Sequence, residues 1–112
     1  MVISGTTLSM TRGDNEAITV ARLVDGIAEP FVNGDTVYFT IKHSANTDVK
    51  VLQKEIIVFT DGKAIIELLP ADTKELTYKT YKYDIQLTDH HDIVTTLVKY
   101  SDFIITEEIT NE

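Results

Sequence analysis

The chain has 112 residues, of which 43% are hydrophobic and 25% charged; this composition is typical of a globular protein, and the length predicts one domain, residues 1–112, with a single core. The net charge of −8 argues against nucleic acid as a partner, because phosphate binding relies on clustered Lys and Arg. The absence of cysteine excludes disulfides and thiolate metal sites.

The N-terminal segment, MVISGTTLSM, contains neither a basic region nor a long apolar run. We therefore expect neither a signal peptide nor a membrane anchor there. The tripeptide Arg12-Gly13-Asp14, which animal integrins read on adhesive proteins, comes next. Because it precedes AITVARLV, a run rich in β-branched residues, Gly13 and Asp14 are predicted to form a turn into a strand rather than an adhesive loop.

Alternation of apolar and polar residues predicts strands along most of the chain. It is clearest in TVYFTIK, residues 36–42, and in YKYDIQL, residues 81–87. Further strand candidates are AITVARLV, VKVLQKEIIVF, KAIIELL, VTTLVKY and DFIITEEI. The predicted core consists of Val37, Phe39, Ile41, Phe59, Ile66, Leu68, Tyr83, Ile85 and Leu87.

Three dipeptides mark turns between these candidates: Asp25-Gly26, Asn33-Gly34 and Asp61-Gly62. Glycine adopts positive φ without steric penalty, and Asp or Asn tolerates it. The clearest case is Asp61-Gly62, which separates two apolar runs by two residues. It predicts a hairpin turn of type I′.

The last third of the chain contains the only helix candidate, PADTKEL, residues 70–76, which is long enough for one or two turns. A hairpin around His90-His91 would place Leu87 opposite Val94, Tyr83 opposite Val98, and Tyr81 opposite Tyr100. About seven short strands with one short helical turn predict an all-β fold, an immunoglobulin-like antiparallel β-sandwich. In such folds a tyrosine near the start of a late strand bonds back to the corner backbone, and Tyr81 is the candidate.

No set of residues forms a recognisable catalytic or cofactor site. The motif TDHHD, residues 88–92, offers two imidazoles between two carboxylates, but adjacent residues at a hairpin tip diverge, and nothing places His43 nearby. The carboxylates that acid–base catalysis would need lie at predicted turns or on polar faces: Asp25, Asp35, Asp61, Asp72, Glu67 and Asp84. No nucleophile-elbow context surrounds the serines considered, Ser4, Ser9, Ser44 and Ser101. The sequence predicts no catalytic residue, no metal ligand and no cofactor.

Several strings, taken in order, are similar to one known family: TRGDNEAITV, GDTVYFTIK, LQKEI, FTDGKAIIELLPADTKEL, YKYDIQLTD and VTTLVKYSDFIITEEIT. Together they resemble the N-terminal immunoglobulin-like domain of upper baseplate proteins in tailed phages and prophages of Gram-positive bacteria. The similarity covers about residues 10–110. It implies a β-sandwich that docks onto the tail-tip ring as an adaptor, while sequence further along carries or recruits the receptor-binding protein.

The resemblance implies a non-enzymatic structural protein of a phage or prophage tail or baseplate. Its partners would be other tail or baseplate proteins, with neither nucleic acid nor membrane among them, and it would be made in the bacterial cytoplasm and found in the virion. In isolation a monomer or small homo-oligomer is expected. Two alternatives stay open. One is a carbohydrate- or host-surface-binding module, which the absence of tryptophan disfavours, and the other is a small regulatory protein of a prophage.

Overall fold

The computed structural model describes residues 7–44, 46–47 and 49–107 of the chain. These residues contain nine strands and one short helix. In chain order they are β1 (Leu8–Thr11), β2 (Glu16–Val20), β3 (Leu23–Val24), β4 (Ile27–Ala28), β5 (Thr36–Lys42), β6 (Lys50–Ile56), β7 (Ala64–Leu68), α1 (Pro70–Thr73), β8 (Thr80–Thr88) and β9 (Val94–Thr106). Within these described ranges, seven strands have four or more residues, as predicted. The other two, β3 and β4, form a two-residue ribbon.

Two sheets enclose the core. The larger has the strand order β1-β9-β8-β5-β6, and the smaller pairs β2 with β7. All pairs are antiparallel except β1 with β9, which is parallel. A sheet with β6, β5, β8 and β9 as neighbours, facing β2 and β7, has the strand arrangement of an immunoglobulin-like sandwich. The all-β sandwich predicted from alternation is therefore confirmed.

Alternate residues of both sheets meet in one core. Phe39 of β5 is fully buried, and its ring centre lies 5.5 Å from that of Tyr83 and 6.0 Å from that of Phe103. From the smaller sheet, the buried residues are Ile18, Val20, Ala64, Ile66 and Leu68. Of the predicted core residues, only Phe59 is half-buried, because it lies beyond the end of β6.

The corner between the two sheets forms as predicted. Helix α1 makes a single turn, shorter than the predicted residues 70–76. The hydroxyl of Tyr81, a buried residue, donates a hydrogen bond to the backbone carbonyl of Thr77 at 3.1 Å. The chain is thereby fixed where it passes from the helical turn into β8.

The pairing predicted for β8 and β9 is wrong. Leu87 lies opposite Thr95 rather than Val94, and Thr88 lies opposite Val94, so that five residues, 89–93, connect the strands. Two register shifts between Tyr83 and Gln86 each add one residue to β9. As a result, Tyr83 pairs with Ser101 and Tyr81 with Phe103 rather than with Val98 and Tyr100. Bulges of this kind add unpaired residues that an alternating pattern does not reveal.

Several predicted strand boundaries also change. AITVARLV divides between β2 and β3, because the chain turns away after Val20 and reverses at Asp25-Gly26, where both φ angles are positive (52° and 79°). VTTLVKY and DFIITEEI form one strand, β9, which ends at Thr106, while the last two residues of the second run lie outside the described residues. VKVLQKEIIVF is a strand only as far as Ile56, and β1 was not predicted.

The Asp61-Gly62 turn has the predicted form. Thr60 and Lys63 exchange two backbone hydrogen bonds of 2.9 Å across it. The φ angles of Asp61 and Gly62 are 52° and 73°, and positive values at both positions are the mark of a type I′ turn. A Cβ atom at Gly62 would collide with Cβ of Pro30, so glycine is required here for space as well as for conformation.

Candidate functional site

Exposed apolar side chains concentrate at one end of the sandwich. Among the described residues, twelve large hydrophobic side chains are exposed. Eight of them lie on four segments that meet at this end, and we call these eight the apolar end: Leu23, Val24, Ile27, Val32, Ile57, Val58, Ile93 and Val94. Apolar surface grouped in this way marks interaction sites more often than singly exposed residues do.

Strand register places three of these segments together. Thr36, the first residue of β5, pairs with Thr88, the last residue of β8, and Thr88 pairs in turn with Val94. On the other side of β5, Val37 pairs with Ile56, the last residue of β6. The segments before β5, after β6 and between β8 and β9 therefore leave the larger sheet at the same end.

A buried carboxylate ties two of these segments to each other. Asp35 is 1% exposed, and its Oδ2 accepts the N–H of Val32 at 3.0 Å. Its Oδ1 accepts the backbone N–H of His90 at 3.0 Å and lies 3.0 Å from Nδ1 of the same residue. Burial by itself raises the pKa of Asp35, but the hydrogen bonds from His90 and Val32 hold that pKa below its ordinary value. Asp35 is therefore a charged, internal link between the β4–β5 and β8–β9 connections.

Arg22 attaches the fourth segment, the β3–β4 ribbon. Its guanidinium lies 3.9 Å from Oδ2 of Asp35 and donates to the carbonyl of Pro30 at 3.1 Å. The same guanidinium lies 5.2 Å from the ring centre of Phe31, which stacks on Phe59 at 5.2 Å. The base of the ribbon is thereby held against the connections that precede β5 and follow β6.

The surroundings of the apolar end are acidic. Residues 21–35, 56–63 and 88–94 contain six carboxylates and two basic side chains, Arg22 and Lys63, which is a balance of −4 with histidine neutral. These three ranges, which contain all four segments, therefore carry half of the chain's net charge of −8. Apart from Asp35, the carboxylates are exposed or half-buried: Asp25, Glu29, Asp61, Asp89 and Asp92.

A shallow groove runs beside the ribbon. It has a volume of about 330 Å³ and lies between β3 and the first half of β9, with Leu23, Val24, Leu97 and Val98 among its lining residues. Among the described residues, β1 pairs with β9 only from Phe103 onward. The groove therefore lies along a part of β9 that β1 does not cover.

The TDHHD motif forms most of the connection between β8 and β9 at the apolar end, and hydrogen bonds within the motif fix its shape. The carboxylate of Asp89 accepts the N–H of His91 at 2.8 Å and that of Ile93 at 3.0 Å, and the bond from Ile93 is the main reason that its pKa is lowered. His90 turns towards the buried carboxylate, and His43 lies at the other end of β5, 5.4 Å from the ring of Tyr81. Among the residues that the structure describes, no three His, Asp or Glu side chains are grouped to hold a metal ion.

The Arg12-Gly13-Asp14 tripeptide forms the predicted turn. The N–H of its aspartate donates to the carbonyl of Thr11 at 3.2 Å, and its glycine has φ 85°. The glycine N–H donates to the hydroxyl of Thr73 at 2.8 Å. The arginine lies 4.3 Å from the ring centre of Tyr78 and donates to the carbonyl of Leu76 at 3.3 Å. The arginine is thus engaged with the corner of the sandwich rather than presented at a loop tip.

The remaining candidate carboxylates are not brought together. Asp72 lies in α1, 2.8 Å from Lys54. Burial raises the pKa of Asp72, but the hydrogen bond from the N–H of Leu69 and the ammonium of Lys54 outweigh that effect and hold the pKa below its ordinary value. Asp84 has a raised pKa because it is partly buried, an effect that Lys42 opposes. Glu67, by contrast, is exposed on β7. These groups lie on different elements and form no pair suited to acid–base catalysis.

The described serines are likewise unconnected to a base. Ser101 donates to the carbonyl of Lys99 at 2.9 Å. Ser9 and Ser44 are exposed, and Ser4 lies outside the described residues. Sequence reasoning predicted neither the apolar end nor the role of Asp35, which its sequence context places in a turn. Its position three residues after Val32 permits the bond to that N–H, but its contact with His90 spans 55 residues.

No α-helix in the described ranges is both long and apolar enough to cross a membrane. Comparison with known proteins finds no protein-family model and no curated protein that matches the chain. The resemblance to phage baseplate domains therefore stays a prediction. The structure itself shows an all-β sandwich, one end of which combines exposed aliphatic side chains, an acidic rim and a buried carboxylate.

Proposed function

We propose that this protein is a non-enzymatic structural component of a phage or prophage tail or baseplate, and that it works by docking against other proteins of the particle. The observation that carries the docking role is the apolar end, where eight exposed aliphatic side chains lie on four connected segments. The setting in a phage tail is supported by the resemblance of the sequence strings to baseplate domains.

The loops at this end support docking better than the outer edge of β6 does. An open strand edge can recruit another strand, and proteins prevent this with lysines and inward-pointing charges. Lys54 lies opposite the buried Phe39 on β5, so it projects from the core side of β6 and pairs with Asp72. Lys50 is exposed at the start of the same strand. Edge pairing along β6 is therefore disfavoured.

The carbohydrate-binding alternative has less support. Sugar sites commonly use exposed aromatic rings as platforms. Two tyrosines are exposed among the described residues, Tyr78 and Tyr100. The first is covered by the guanidinium of Arg12, 4.3 Å from the ring centre, and the hydroxyl of the second accepts a hydrogen bond from Lys42 at 3.3 Å. Both exposed rings are therefore already contacted by a basic side chain of the protein itself.

The test is deletion of the gene in an inducible prophage, followed by mass spectrometry and adsorption assays on purified particles. We expect the protein in wild-type virions and defective tails or adsorption in its absence. Virions of normal structure and adsorption that contain no trace of the protein would contradict the proposal and favour the regulatory alternative.

Complementation links the same test to the apolar end. Val58 is 79% exposed at this end, and Val49 is 66% exposed elsewhere. Val58→Asp should prevent incorporation into particles, whereas Val49→Asp should be incorporated like the wild type. Equal incorporation of the two variants would show that docking uses a different surface.

A further inference from the structure

We infer that the apolar end binds a protein surface with a large apolar anchor side chain surrounded by Lys and Arg, rather than a second copy of this chain. This inference rests on the docking function proposed above and adds the chemistry of the partner. It follows from three features of the apolar end: its charge, its groove and its internal bracing.

The charge argues for a basic partner. Residues 21–35, 56–63 and 88–94 carry a balance of −4, and the carboxylates around the apolar residues are accessible, as at Asp25 and Asp61. A two-fold dimer through this end would bring the same patch of both copies together, so that like charges face each other. A rim of Lys and Arg would instead be attracted, would accelerate association and would disfavour self-pairing.

The groove argues for an apolar anchor. Its volume of about 330 Å³ suits one or two large side chains. Its lining is mainly aliphatic, as at Val24 and Leu97, with Arg22, Thr95 and Thr96 as the polar members. Binding energy in protein interfaces concentrates where a large side chain fills such a site at the centre of the contact. The exposed residues of the ribbon, among them Ile27, would enlarge the apolar contact around that anchor.

The bracing argues that the surface exists before the partner arrives. Asp35 and Arg22 connect three of the four segments through the hydrogen bonds and the 3.9 Å ion pair described above. The segment after β6 is attached through the stacking of Phe59 on Phe31. Loops fixed in this way lose little conformational freedom on binding, which favours affinity. The apolar end is therefore suited to hold one partner of defined shape.

The experiment uses the purified protein as bait and a yeast-displayed library of short random peptides as the probe. We expect enrichment of peptides in which Lys and Arg flank a large apolar residue, with binding that weakens as salt is raised. The double variant Asp25→Asn/Asp61→Asn should weaken that binding by about three- to tenfold. Asparagine tolerates the positive φ of both positions, so the turns should persist, which circular dichroism checks.

A variant of the apolar part gives the matched comparison. Val94 is 61% exposed at this end and Val49 66% exposed away from it. Val94→Asp should abolish binding even though it adds a negative charge that favours basic peptides, whereas Val49→Asp should bind normally. Ile27→Asp provides a second test at a residue of the β3–β4 ribbon.

Three outcomes would overturn the inference: no enrichment over the unselected library, enriched peptides without a basic bias, or equal binding by the Val94 and Val49 variants. Sedimentation showing a wild-type dimer that Val94→Asp dissociates would assign the end to self-association instead. If the protein is absent from virions but the library still selects basic peptides, the phage setting is rejected and the partner chemistry stands. If the protein is found in virions but the library shows no basic bias, the partner chemistry is rejected and the phage setting stands.

Discussion

Replacing Asp35 by asparagine tests the bracing of the apolar end at its centre. Each oxygen of the carboxylate accepts a different backbone N–H: Oδ2 that of Val32, and Oδ1 that of His90, both at 3.0 Å. Asparagine has the same shape but only one acceptor oxygen. In either orientation of the amide, one backbone N–H therefore faces an NH₂ group, and the attraction of the charged carboxylate is lost as well.

The expected cost follows from these contacts. A buried donor left without an acceptor costs about 1–3 kcal/mol, and hydrogen bonds to a charged group contribute more than those to a neutral one. We expect Asp35→Asn to lower the free energy of unfolding by about 2–3 kcal/mol, and Asp35→Ala by about 3–5 kcal/mol. Because small domains are stable by only about 5–15 kcal/mol, either loss is readily measured by urea denaturation at neutral pH.

The control lies in the same loop as His90. Asp92 is exposed and has φ 62°, which asparagine tolerates. Asp92→Asn should therefore change stability by less than about 0.5 kcal/mol. Equal denaturation midpoints for the Asp35 and Asp92 variants would refute the assignment of Asp35 as the internal link.

The pH dependence gives a second measurement on the same variants. The pKa of Asp35 is lowered in the folded protein, so its stabilising effect is fully present above the unfolded value of about 4 and is lost as pH falls through the folded pKa. The stability difference between the wild type and Asp35→Asn should accordingly be largest near neutral pH and shrink in acid. A difference that stays constant down to strongly acidic pH would contradict this reasoning.

Three further predictions concern the fold. Gly62→Ala should lower the free energy of unfolding by at least about 2 kcal/mol, because the new Cβ would collide with Pro30. Gly26→Ala, with φ +79° but open space around it, should cost only about 1 kcal/mol. Similar denaturation midpoints for the two variants would mean that the collision is relieved. Tyr81→Phe should lower the free energy of unfolding by about 1 kcal/mol, because the hydrogen bond of its hydroxyl at the corner is lost. Tyr100→Phe, on an exposed ring, should lower it by less than about 0.5 kcal/mol. Equal losses for the two variants would contradict a stabilising role for the corner hydrogen bond. Phe39→Ala should cost about 3–5 kcal/mol, and a loss below about 1 kcal/mol in urea denaturation would show that this ring is not central to the core.

The local part of the fold was predictable from the sequence. β5 begins and ends where the alternation in residues 36–42 does, and β8 extends one residue beyond each end of residues 81–87. A strand with one buried face must alternate with period two, so its pattern is written within the segment itself. The Asp61-Gly62 turn was recognisable for a similar reason, since positive φ favours particular residue types at particular positions.

Strand pairing and the burial of polar groups depended on the tertiary structure. The two register shifts in β9 opposite residues 83–86 leave the composition of both strands ordinary, so alternation alone predicted the wrong partners. Asp35 reads as a turn residue because its partner, His90, is 55 positions away. The apolar end is also assembled from four segments, none of which is unusual by itself. Local propensity acts on neighbours in sequence, whereas the cost of burying a charge is set by whatever groups the folded chain brings to it.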